Sequence, residues 1–70
     1  MQKVNLIGLK CPMPLIKFKK VLVECPEERT FEVAVDDPGA LHDFPAFCKK
    51  LNFEFTLISN QYPILFQVTR

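Results

Sequence analysis

Six prolines and only two glycines divide this chain of 70 residues before any other pattern is considered. Proline has a fixed φ and no backbone N–H, so it suits turns and first helical turns and is excluded from strand interiors. The prolines fall in "GLKCPMPLIKFKK" (Pro12, Pro14), "ECPEE" (Pro26), "DDPG" (Pro38), "HDFPAF" (Pro45) and "QYPIL" (Pro63). Regular elements must run between these marks. Residues 3–9 are mainly apolar and read as a short strand. Pro12 and Pro14 fit the opening turn of a helix, where the N–H groups lack partners anyway. Leu15, Phe18, Leu22 and Cys25 then recur at helical spacing. A helix is expected over 12–24, ended by Pro26.

The stretch "TFEVAV", 30–35, alternates with period two. Phe31, Val33 and Val35 point one way; Glu32 and Ala34 point the other. "DDPG" is a turn, because an Asp side chain bonds its own backbone and Pro–Gly breaks regular structure. Leu41, Phe44, Phe47, Cys48 and Leu51 form the apolar stripe of a second helix, with Pro45 inside it. The expected resolution is that Asp43 caps this helix and Pro45 sits in its first turn. Lys49 and Lys50 suit the negative C-terminal end. Two more alternating runs, 53–59 and 64–69, flank "NQYP" and form a hairpin.

The order is therefore β-α-β-α-β-β. Strands with one apolar and one polar face belong to a sheet covered on one side. The expected class is α+β: a two-layer α/β sandwich, with a four-stranded mixed sheet and both helices on one face. A right-handed crossover would make the first two strands parallel. Residues 1–70 are expected to form one domain.

Several function classes are disfavoured. The net charge is +1, without the strong basic footprint of a dedicated nucleic-acid binder, so direct nucleic-acid binding is not expected. No apolar run approaches the ~20 residues of a membrane span, and the opening "MQKVNLIGLK" is unlike a signal peptide. The cysteines Cys11, Cys25 and Cys48 are odd in number and lie 14 and 23 residues apart. With no CxxC and with His42 the one imidazole, neither a disulfide framework nor a metal site is expected. No cofactor is indicated. Unpaired thiols without an export signal suit the reducing cytoplasm.

Cys11 has the clearest chemical setting. It stands at the mouth of the first helix, where the dipole amounts to roughly half a positive charge. Lys10 adjoins it, and Lys17 follows about a turn further on. These features favour thiolate, and the prolines stiffen the support. Cys25 and Cys48 lie on apolar stripes and read as core residues; a secondary redox role for Cys48 is the lesser reading. His42 reads as a solvated turn residue, and the Asp36–Asp37 pair as turn-shaping. No base for Cys11 is evident. An exposed thiol without a base on so small a domain suggests a carrier, because a persulfide needs only a reachable cysteine and a partner thiolate to take the sulfur on.

"GLKCPMPLIKFKK" resembles the G-L-x-C-P-x-P…K-K signature of the TusA-like (SirA/YedF) sulfur-carrier family, and "VDDPGALHDFPAFCKK" resembles its D-D-P…D-I-P stretch. The likeness extends through the closing hairpin. It implies the same β-α-β-α-β-β sandwich. It also implies a sulfur carrier or sulfurtransferase in which Cys11 accepts sulfur as a persulfide from a donor such as a cysteine desulfurase. The sulfur passes to an acceptor protein, in one branch toward tRNA 2-thiolation. Gly8, Leu9, Lys10, Pro12 and Pro14 match the first motif; Asp43, Phe44 and Pro45 match the second, which the family places near the thiol. Val4-Asn5 stands where the family commonly has Leu-Asp, Phe44 where it has Ile, and "PEERT" lacks the usual Gly. The alternative reading is a non-enzymatic docking module, in which Lys17, Lys20 and Phe44 form the partner surface.

Overall fold

The computed structural model describes all residues, Met1–Arg70. The elements are β1 (Gln2–Asn5), α1 (Met13–Glu24), β2 (Thr30–Val35), α2 (Ala40–Leu51), β3 (Glu54–Ser59) and β4 (Ile64–Thr69). One sheet holds the four strands in the order β1-β2-β4-β3. β1 runs parallel to β2, with Val4 opposite Val33, and β4 is antiparallel to both β2 and β3. The α+β class and mixed sheet therefore agree with the expectation. The β3–β4 pair is the expected hairpin, with a register shift between Leu57 and Ser59 that leaves Ile58 exposed.

Alternation does most of the folding work. Val4, Phe31, Val33, Val35, Ile64, Phe66 and Val68 are buried, while their strand neighbours stay partly or fully exposed. Phe18 of α1 and Ala40, Phe44 and Cys48 of α2 close over this face. Four rings join the layers. Phe18 meets Phe31 edge-on at 5.5 Å and Phe44 at 5.4 Å, and Phe44 meets Phe66 at 4.7 Å. These separations lie in the favourable range for aromatic pairs.

Two boundaries differ from the sequence-based expectation. β1 ends at Asn5 instead of continuing to residue 9. The Asn5 side chain accepts the N–H of Ile7 at 3.0 Å, and Gly8 adopts φ +91°, a conformation that L side chains rarely take. The chain thus leaves the sheet early and turns toward α1. α2 begins at Ala40, not at Asp43. Ala40, Leu41 and His42 donate to the carbonyls of Asp37, Pro38 and Gly39 at 3.1 Å each. The "DDPG" turn thereby starts the helix earlier, so Asp43 is not its cap and Pro45 lies inside the helix, where it cannot donate to the Leu41 carbonyl.

Arg70 fastens the other end of the molecule. Its guanidinium donates to the carbonyls of Glu28 (2.7 Å), Leu22 (3.2 Å) and Cys25 (2.5 Å), and its backbone N–H to Arg29 (2.8 Å). Arg70 thus satisfies one carbonyl of the last turn of α1, Leu22, and that of the C-cap residue, Cys25. No helix is long and apolar enough to cross a membrane.

Candidate functional site

The loop from Gly8 to Pro12 and the turn from Asp36 to Gly39 meet at the helix ends of the sandwich. Three backbone N–H groups in this region donate to carboxylates. Gly8 donates to Asp36 Oδ1 (3.0 Å), Cys11 to Asp37 Oδ2 (2.5 Å) and Gly39 to Asp37 Oδ1 (3.1 Å). Asp37 thus ties the cysteine loop to the start of α2 with both oxygens. The approach is close: a Cβ on Gly39 would stand 3.3 Å from Cys11 Cβ, so a side chain there would press the two segments apart.

Cys11 is exposed, and its Sγ donates to Asp43 Oδ2. The second Asp43 oxygen faces His42 Nδ1 at 3.4 Å, and the His42 ring is almost wholly in solvent. Charge at the site follows from this geometry. The hydrogen bond to Asp43 holds the Cys11 thiol above its ordinary range, helped by partial desolvation and by the negative charges of Asp43 and Asp37. Asp43 is held low by accepting from Cys11 and then by His42. Asp37 is held low by the N–H groups of Cys11 and Gly39, with a smaller contribution from Lys10.

The expectation of a thiolate at rest is therefore corrected. The adjacent lysine acts on Asp37, and the nearest partner of the sulfur is a carboxylate, which favours the protonated thiol. Phe44 as a docking residue is also corrected. It is fully buried between Phe18 and Phe66, because Asp43 and not its neighbour turns toward Cys11.

The other residues singled out in the sequence fall as follows. Gly8, Lys10 and Pro12 are exposed around the thiol, Leu9 packs against the core, and Pro14 is buried in the first turn of α1. Pro45 is half-buried in α2, two residues beyond Asp43. Lys17 and Lys20 are exposed on α1, and so are the apolar Met13 and Ile16. Cys25 is partly buried; Cys48 is buried, and burial raises its thiol. Asp37 is the supporting residue that its turn-forming role concealed; its signal was the "DDP" of the second motif. No group of three or more His, Cys, Asp or Glu side chains is arranged to hold a metal ion.

The fold and site define a small α+β domain that presents one reachable thiol at the start of its first helix. The family described as Sulfurtransferase TusA matches residues 2–68, and the chain belongs to it. Among its relatives, "Sulfur carrier protein TusA" of Allochromatium vinosum is 36% identical over 53 residues, covering 76% of this chain and 70% of that one. A protein of Archaeoglobus fulgidus is 39% identical over 54 residues, 77% of this chain and 70% of its own. The crystal structure of a SirA-like protein from Desulfitobacterium hafniense superposes with a TM-score of 0.77 at 20% identity, covering 99% of this chain and 95% of that one. That likeness establishes the shared fold.

Proposed function

We propose that the protein is a cytoplasmic sulfur carrier in which Cys11 accepts a sulfane sulfur from a donor protein such as a cysteine desulfurase and passes it to an acceptor protein. The observation that carries this reading is the exposed Cys11 sulfur on a loop tied to α2 through Asp37 and Asp43. Membership of the family and the name of the Allochromatium relative support it.

The chemistry is an exchange without net oxidation. Cys11 Sγ attacks the outer sulfur of the donor's persulfide, and a new S–S bond forms. The donor's S–S bond breaks, and its electron pair leaves on the donor cysteine, which takes up the proton that Cys11 gave up. An acceptor thiol then gives up its proton and attacks the outer sulfur on Cys11; the Sγ–S bond breaks with its electron pair left on Sγ, which takes up the proton and is a thiol again. Lys10, Lys17 and Lys20, with the apolar Met13 and Ile16, supply the surface that partners meet around the sulfur. The product pathway is tRNA 2-thiolation or another sulfur-trafficking route.

Incubation with a cysteine desulfurase and cysteine, followed by mass spectrometry of the intact chain and its peptides, tests the proposal. One added sulfur atom is expected on Cys11 and none at that position in Cys11→Ser. Equal labelling of the variant would overturn the assignment, and a Cys11→Ser chain that restored the biological role of a deletion strain would favour the docking module.

A further inference from the structure

Asp43 lies in the first turn of α2, where a negative charge suits the helix dipole, and its side chain also reaches the Cys11 thiol. It does not cap α2, whose start carries no side-chain cap. Its second oxygen faces the His42 ring at 3.4 Å, almost wholly exposed, and the Asp37 carboxylate lies within electrostatic reach. Its side chain is about one-third exposed, and one oxygen is spent on the Cys11 thiol. Asp37 is different, because both of its oxygens hold backbone N–H groups and it serves the loop itself.

Deepening the carrier reading, we propose that Asp43 is a latch on Cys11: it holds the empty carrier's sulfur as a slow-reacting thiol, and loading with sulfur removes the Sγ hydrogen that this contact uses. The contact requires a hydrogen on Sγ, because a carboxylate only accepts. When Sγ bonds to an incoming sulfur, that hydrogen leaves with the donor's thiol. A loaded Sγ has nothing to donate and faces Asp43 as one acceptor against another. Empty and loaded carriers therefore differ at the surface where partners dock.

The titratable groups around this sulfur are Asp43 and His42 on α2, Asp36 and Asp37 in the preceding turn, and Lys10 beside it. Only Asp43 bonds Sγ. Because the thiolate is the nucleophile, the latch slows attack on small electrophiles and oxidants that bring no charge of their own to the site. A protein partner can release the sulfur by placing a cation against Asp43.

The test is alkylation of Cys11 by iodoacetamide across a pH series, with the Cys11 peptide read by mass spectrometry. In Asp43→Asn, reaction at neutral pH is expected to be about tenfold faster than in the wild type, with the midpoint of the profile moved to lower pH. An unchanged or slower profile in a folded Asp43→Asn chain would overturn the latch. If circular dichroism shows that the variant does not fold, the wild type decides. The Cys11 midpoint must then lie higher in the folded chain than in the urea-unfolded chain, and an equal or lower midpoint overturns the proposal. Neither arm uses sulfur loading, so failure of the carrier reading would show separately, as an absence of label on Cys11.

Discussion

Cys11 and Cys48 are both held as thiols, for opposite reasons. Cys48 lies in the ring-lined core on the inner face of α2, and burial alone raises it. Cys11 stands in the open, and the hydrogen bond and charge of Asp43 raise it. Desolvation is a fixed property of a packed interior. A hydrogen bond at the surface can be broken by any partner that competes for the carboxylate. The same protonation state is therefore inert at one site and releasable at the other.

The comparison can be broken most severely at Phe44, which closes the core one turn before Cys48. Phe44→Ala is expected to cost about 3–5 kcal/mol, a large share of the roughly 4–10 kcal/mol available to a domain of this size. Urea unfolding would measure the loss. In chains still folded, Cys48 should alkylate faster, while Cys11 keeps its rate. A smaller change sharpens the contrast. Cys48→Ser puts a hydroxyl into an apolar site and should destabilise by about 1–3 kcal/mol, measured by the same titration, without loss of Cys11 labelling.

The mildest perturbation is acid. Asp37 and Asp43 have folded-state values lowered by their hydrogen bonds, so their contribution to stability is present above the ordinary carboxylate range and is lost as pH falls through the depressed values. Thermal unfolding should therefore shift downward below about pH 4, and the shift should be smaller in Asp37→Asn. Equal acid sensitivity in that variant would show that Asp37 does not contribute to it.

Much of this architecture was legible because local and long-range signals agree. β2 and β4 alternate cleanly, and α1 is bracketed by Pro12 and Pro26. The misread boundaries are places where they disagree. Leu6 and Leu9 prolong an apolar run, while Asn5 and Gly8 have already turned the chain. Pro45 argued for a later start to α2, but the Asp37–Gly39 turn starts the helix and the proline is carried inside it. At the site, the motif located the thiol and brought Asp43 near it. Its protonation state was hidden, because the acids that set it lie 26 and 32 residues away along the chain, while the lysine beside it acts elsewhere. Phe44 illustrates a related limit. Being next to Asp43 in sequence puts it on a different side of the helix, and that side is the core.

The grip of Arg70 on Leu22, Cys25 and Glu28 reaches beyond those three carbonyls. It joins the end of the last strand to the final turn of the helix that begins beside the thiol. Fraying of that turn breaks these hydrogen bonds, so it is coupled to release of the strand's end. The far end of α1 is thus anchored to the last strand, and the thiol stands at the opposite end of the same helix.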